Sequence, residues 1–223
     1  MARVAIILPS YNEEKRIALI LRKLNEFRNR KKLNFIVIVI DDGSSDATYK
    51  TAASHADFIL KHQINLGKGA ALKTACDFAF NFLDMDYVIF MDADGQHSVN
   101  DLPLFLEKIE SNIKLILGIR SFYGMPRIAV MINRFASYLL YGLTGVFIPD
   151  IPSGYKAFSR EIYDSFEWKS DGYEIELEMA LFVARNRLFF ATVPIKTIYP
   201  THVKGTNPIL DGAKIILKIL GVK

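Results

Sequence analysis

What most constrains this chain is the alternation of short apolar, β-branched runs with amphipathic segments of helical period. Residues 4–8 and 35–40 are strand-length runs with almost no polar interruption, and between them residues 13–28 place Ile17, Ile20, Leu21, Leu24 and Phe27 at helical spacing. A strand that is apolar on both faces must be covered on both, and a helix between two such strands supplies one cover while joining them in parallel. The pattern recurs with a helix at 46–55, a short strand at 58–61, a helix at 68–83 and a buried strand at 87–91. Further on, the sequence predicts a helix at 102–110, a strand at 114–119, a long apolar segment at 128–148 and a helix at 173–187. Strands at 188–194 and 197–199 and a closing helix at 209–220 complete the reading. The expectation is an α/β fold: a mostly parallel central sheet with helices on both faces.

At 223 residues, 51% of them hydrophobic, the chain is predicted to be a single domain, residues 1–223, with a substantial core. Cys76 is the only cysteine, which excludes a disulfide framework or a thiolate metal site and points to a reducing, intracellular setting. The first apolar run is too short for an export signal, and the 128–148 segment, interrupted by Asn133, Arg134 and two glycines, falls short of a membrane span. From Lys196 onward there are five lysines and one acid, Asp211, so this tail accounts for the formal net charge of +4. A basic tail suits an anionic surface or ligand, whereas a nucleic-acid reader would carry a basic face over more of the domain; no nucleic-acid partner is expected.

In open α/β sheets, ligands bind beyond the carboxyl ends of the strands. Three strands are followed there by polar motifs: Pro9-Ser10-Tyr11-Asn12-Glu13-Glu14, Asp41-Asp42-Gly43-Ser44-Ser45-Asp46 and Asp92-Ala93-Asp94-Gly95-Gln96-His97. Turn and capping chemistry accounts for the second motif, yet Asp41 or Asp42 is also suited to accept hydrogen bonds from a nucleobase edge. Asp92 and Asp94 bracket one alanine after a buried strand, a spacing that can aim two hard-oxygen carboxylates at one Mg2+ or Mn2+ beside a diphosphate. Asn65-Leu66-Gly67-Lys68-Gly69 opens a helix, where Lys68 can meet a phosphate or the glycines can merely ease the helix start. Neither the dinucleotide fingerprint nor the P-loop is present. His97 reads as a surface residue or a hydrogen-bonding support.

Taken in order, these motifs resemble those of the family-2 glycosyltransferases of GT-A fold, and most closely the polyprenol-phosphate sugar synthases. Gly118-Ile119-Arg120-Ser121, Asn133-Arg134, Asp150-Ile151-Pro152-Ser153-Gly154-Tyr155-Lys156, Gly172-Tyr173-Glu174 with Glu178-Met179, and Val193-Pro194-Ile195 extend the likeness over about residues 4–200. The resemblance implies a nucleotide-sugar-binding half, residues 1–100, and an acceptor half, residues 101–223, ending in a basic amphipathic helix. It assigns Pro9, Tyr11, Glu13 and Asp41 to the nucleotide pocket, with Asp42 and Lys68 beside them. Asp92, Asp94 and Gln96 fall to the metal and diphosphate, Arg120 and Arg134 to the acceptor phosphate, and Ser153 and Lys156 to the acceptor side.

The implied reaction is inverting transfer of a hexose from a GDP- or UDP-sugar to polyprenyl (dolichyl) phosphate by a peripheral enzyme on the cytoplasmic face of a membrane. A phosphate acceptor is already ionised, so no strong base is needed. Were the acceptor a sugar or glycan hydroxyl, Glu174 or Glu176 would have to take its proton, unless these are helix-surface charges. A non-catalytic nucleotide-sugar-binding subunit is the third possibility, and intact Asp92, Asp94, Arg120 and Arg134 speak against it. The sequence departs from typical mannosyltransferases after Pro194, where His202 and Lys204 stand in place of a basic, serine-containing arm. Segments 128–148 and 209–220 both have the composition to meet a lipid surface.

Overall fold

The structure, a computed structural model, describes residues 2–196. The expected strand at 197–199, the helix at 209–220, His202 and Lys204 lie outside these residues.

A seven-stranded sheet runs in the order β3-β2-β1-β4-β6-β5-β7. Its strands are β1 (Val4–Ser10), β2 (Phe35–Asp41), β3 (Phe58–Lys61), β4 (Tyr87–Phe90), β5 (Leu115–Arg120), β6 (Lys156–Ser159) and β7 (Ala191–Ile195). The pairs β1–β2, β1–β4, β2–β3 and β5–β7 are parallel. Only β6, between β4 and β5, runs antiparallel. Short and interrupted by polar residues, it was not anticipated from sequence.

The helices are α1 (Glu14–Lys31), α2 (Thr48–Ala53), α3 (Lys68–Asp77), α4 (Leu102–Glu110), α5 (Arg127–Thr144), α6 (Arg160–Ser165) and α7 (Ile175–Arg185). The single helix expected at 68–83 is instead α3 continued by a turn of π-helix, Phe78–Phe82. The strand pleat sorts the core into two layers. Ala5 and Ile7 of β1 face one cluster with α3, α5 and α7 residues, including Leu72, Cys76, Leu140 and Val183. Val4, Ile6 and Leu8 face the other with α1 and α4, including Ile17, Leu21, Leu24 and Phe105. Burial raises the Cys76 thiol well above its ordinary range, as expected of an inert core cysteine.

After β1 the chain adds β2 and β3 on one side and then returns to place β4 on the other. That reversal opens a crevice beyond the carboxyl ends of β1 and β4, the place where such sheets bind ligands. Because β6 is antiparallel, its first residue, Lys156, pairs with Phe90 and Leu117 near that same edge.

Candidate active site

The loops after β1 and β2 brace each other. Asn12, at φ 54°, donates its N–H to Ser44 Oγ at 2.9 Å and accepts from Ser45 N–H at 3.0 Å. Glu13 N–H reaches Thr48 Oγ1 at 2.8 Å. Pro9 is the penultimate residue of β1, and Tyr11 stands exposed just beyond the strand. Glu13 pairs with Arg16 at 2.9 Å; burial raises its carboxyl, and Arg16 opposes that rise.

The two aspartates after β2 have different surroundings. Asp42 faces inward and accepts from His62 Nδ1 at 2.7 Å, Leu66 N–H at 2.9 Å and Gly67 N–H at 2.8 Å. Expected beside the nucleotide, it instead clamps the loop that leads into α3. Asp41 is fully buried, takes Ser44 N–H on Oδ1 at 3.0 Å and leaves Oδ2 buried without a partner. A buried carboxylate oxygen with no donor is costly and marks a place where a ligand's N–H groups would be welcome.

The glycines before and after Lys68 serve packing. A Cβ on Gly67 would sit 2.4 Å from Asp171 O, and one on Gly69 2.2 Å from Ser170 O. Ala70 N–H donates to Asp171 O at 3.0 Å. Of the two readings left open for this helix start, the glycines serve its close packing against the 170–172 loop, and Lys68 reaches towards β4.

There Lys68 Nζ lies 2.7 Å from Asp92 Oδ1 and 2.7 Å from Glu176 Oε1. Burial would lower the ammonium, but the two carboxylates outweigh it and raise it. Burial likewise pushes the Asp92 carboxyl up, while Lys68, His97 and Arg120 overcome that and hold it down to about 2. Asp94 is braced by Gln96, whose N–H and Nε2 donate to it at 2.9 and 2.7 Å.

His97 is buried, so the surface alternative for it does not hold. Its Nδ1 accepts Asp92 N–H at 3.0 Å, and its ring stacks on Tyr155, which stacks on Phe105. Burial lowers its imidazole, so at neutral pH it is a neutral support for the Asp92 backbone. Glu176, open as a base or a surface charge, is also buried, whereas Glu174 is exposed and Glu178 accepts from Lys169 N–H and Ser170 N–H.

Asp92 and Asp94 are both partly exposed. Among the described residues no three His, Cys, Asp or Glu side chains gather as a self-sufficient metal cage. Two hard carboxylates open to solvent do fit a divalent cation that takes its remaining ligands from water and a diphosphate.

On the other side of β6, Arg120 ends β5 and forms a fork with Asp150, Nε to Oδ2 at 2.8 Å and Nη2 to Oδ1 at 2.7 Å. Asn133 Nδ2 donates to the same Oδ1 at 3.0 Å. Arg134, next on α5, is exposed with its guanidinium 5.8 Å from the centre of the Phe122 ring. Ser153 Oγ is buried without a partner, and Lys156 is buried with its ammonium lowered by desolvation to about 8. Sequence reasoning assigned no role to Asp150 or Asn133, although both lie in the motifs quoted for the resemblance.

A mostly parallel sheet with a crevice at its reversal point, paired aspartates after β4 and a buried carboxylate after β2 give the architecture of GT-A-fold glycosyltransferases. Residues 5–166 match the model of Glycosyl transferase family 2, and the chain belongs to that family. It is 30% identical over 247 residues to the UDP-N-acetylglucosamine–dolichyl-phosphate N-acetylglucosaminyltransferase of Methanococcus voltae, covering 99% of this chain and 96% of that protein. It is 29% identical to a dolichyl-phosphate beta-glucosyltransferase of Trichomonas vaginalis, over 71% of this chain and 53% of that one. Among solved structures, glucosyl-3-phosphoglycerate synthase of Mycobacterium tuberculosis, crystallised with Mn2+, UDP and phosphoglyceric acid, shares the fold. Its TM-score is 0.73 at 21% identity, with 100% of this chain and 80% of that one covered.

Proposed function

We propose that this protein is an inverting glycosyltransferase that moves a hexose from a nucleotide-diphosphate sugar, of the GDP-mannose or UDP-glucose type, to a polyprenyl (dolichyl) phosphate. The relatives named above that act on dolichyl phosphate support the acceptor class. The bare Oδ2 of Asp41 would receive the nucleobase edge. Asp92 and Asp94, with Gln96 bracing Asp94, would hold Mg2+ or Mn2+, whose charge would neutralise the donor diphosphate.

The observation that carries the choice of acceptor is the state of Glu176. It is the α7 carboxylate that reaches the crevice, and it is buried against the Lys68 ammonium at 2.7 Å. Its task there is to balance Lys68 rather than to take a proton from a hydroxyl. An acceptor that arrives ionised needs no such base. Arg120 and Arg134 would hold its phosphate by charge-assisted hydrogen bonds while its oxygen attacks the anomeric carbon. The bond to the diphosphate then breaks with its electron pair leaving on the nucleoside diphosphate.

A peripheral position on the cytoplasmic face of a membrane follows from such an acceptor. Among the described residues no helix is long and apolar enough to cross a bilayer. Ile128, Met131, Phe135 and Tyr138, spaced three and four apart on α5, are exposed, and no acid lies between Arg120 and Asp150.

The test is incubation of purified protein with Mg2+, dolichyl phosphate and labelled GDP-mannose, UDP-glucose or UDP-N-acetylglucosamine. Labelled lipid is the expected product. Label on glycans with none on lipid would overturn the acceptor assignment, and a protein that binds donor without any transfer would overturn catalysis.

A further inference from the structure

Asp150 is 3% exposed as a residue, and its side chain is wholly shielded. It accepts four hydrogen bonds. Arg120 N–H and Nε donate to Oδ2 at 3.0 and 2.8 Å, while Arg120 Nη2 and Asn133 Nδ2 donate to Oδ1 at 2.7 and 3.0 Å. Both oxygens are therefore engaged, and their donors come from two elements that the sheet alone does not join: the end of β5 and the middle of α5. A fork with two parallel hydrogen bonds fixes the plane of a guanidinium as well as its place. The backbone N–H bond from the same residue fixes the strand end that carries it. Asn133 is buried on α5 and Arg134 follows it into solvent, so the Asn133 hydrogen bond also sets where the next side chain leaves the helix.

We infer that Asp150 is a positioning residue for the acceptor side. It orients the Arg120 guanidinium and, through Asn133, ties α5, the helix that carries Arg134, to the end of β5. This rests on the reading of Arg120 and Arg134 as the acceptor-phosphate pair. Arginines meant to grip an anion repel each other when it is absent. A shielded carboxylate behind one of them offsets that repulsion and holds the geometry ready, so ordering is not paid at each encounter. Asp150 itself touches no substrate in this scheme.

The test uses the whole purified chain with citronellyl phosphate as a soluble isoprenoid phosphate and the nucleotide sugar that sustains transfer. KM and kcat are measured for each substrate separately. Asp150→Asn keeps the shape but turns a donor nitrogen towards Arg120 or Asn133. It should raise the acceptor KM by about 10- to 100-fold, the range for losing a supporting partner of a functional group, and leave the donor KM unchanged. Asn133→Ala, which keeps the Asp150–Arg120 fork, should raise the acceptor KM less, and it decides the matter if Asp150→Asn does not fold.

A second readout separates positioning from plain structure. Guanidinium ion at sub-denaturing concentration should restore transfer to Arg120→Ala when Asp150 is present to seat it, and not to the Arg120→Ala, Asp150→Asn double variant. Equal acceptor KM in wild type and Asp150→Asn, a parallel rise in both KM values, or identical behaviour of the two backgrounds towards guanidinium each overturns the inference. If the wild-type chain transfers to no isoprenoid phosphate at all, the fault lies with the acceptor reading, and this inference falls with it.

Discussion

Replacing Lys156 by methionine should make the protein more stable at neutral pH. Lys156 is 5% exposed as a residue, at the start of β6 between β4 and β5. Burial pulls its proton affinity down from the ordinary 10.5 to about 8, even though Glu176, Asp150 and Asp92 attract the charge. Each tenfold change in proton affinity is worth about 1.4 kcal/mol, so keeping this lysine charged in the folded chain costs about 3 kcal/mol. Below pH 8 both the folded and unfolded chains carry the proton, and the folded state bears that whole cost. Between about pH 8 and 10.5 the folded chain releases the proton while the unfolded chain keeps it, so this contribution to stability rises with pH.

Methionine has nearly the same length and no charge to desolvate. Lys156→Met should therefore gain about 2–3 kcal/mol at pH 7, or roughly 5–10 °C in Tm for a domain of this size. Urea titrations of both proteins at pH 7 and pH 10 measure it, and the advantage should shrink at the higher pH. A variant less stable than wild type at pH 7, or a difference that does not change with pH, would refute the reasoning. Loss of lipid transfer alongside the gain in stability is the expected mark of a residue kept for function.

Gly69→Ala should destabilise the protein although alanine favours a helix by about 1 kcal/mol, because its Cβ would sit 2.2 Å from Ser170 O; thermal melts should show a fall, and donor KM should rise as Lys68 shifts. Gly142→Ala is the matched control, since nothing lies within 4 Å of that position, and its Tm should be unchanged or higher. Asp94→Ala should abolish transfer while the chain still melts cooperatively by circular dichroism, with a small fall from the lost Gln96 hydrogen bonds; retained activity would remove Asp94 from the donor site. Phe135→Asp should abolish co-flotation with anionic phospholipid vesicles while transfer to soluble citronellyl phosphate persists, and unchanged flotation would exclude α5 as the lipid-facing helix.

The strands of the first half and the motifs that follow them were legible because local pattern and tertiary placement agree there. Residues 4–8, 35–40 and 87–91 are apolar runs long enough to be nothing but buried strands, and a parallel sheet then forces the motifs after them to one edge. What that pattern leaves open is the direction of individual side chains. Asp41 and Asp42 are adjacent acids in one turn, yet one keeps an oxygen bare and the other is consumed by His62 and the 66–67 backbone. Gly67 and Gly69 left a phosphate cradle and a mere helix start both open, because glycine admits any close neighbour; the neighbour is the 170–172 backbone, about a hundred residues away in sequence. Glu176 was open as a surface charge because a helix read without its partners does not reveal which face meets Lys68. The second half of the sheet depends on β6, four residues long and antiparallel, for which the sequence carries no alternation strong enough to predict.

The charge arrangement links the two halves. Asp92, Asp94 and Glu176 would repel one another across the crevice, and under the proposed function a diphosphate would add to that negative charge. Lys68 resolves this in the resting protein by pairing with both Asp92 and Glu176, which keeps Asp92 ionised and aimed. Glu176 has no other cation as an ion-pair partner among the described residues, and its Oε2 is buried without a hydrogen-bond donor. Taking Lys68 away from Glu176 would thus strand a buried carboxylate, an outcome that costs several kcal/mol. Glu176 would therefore hold the lysine in the crevice even when Asp92 has another partner, and under the proposed function its positive charge would face the donor's phosphates. In that proposed role the Lys68–Glu176 pair would suit an anionic donor, with Glu176 acting there as the counter-charge to Lys68.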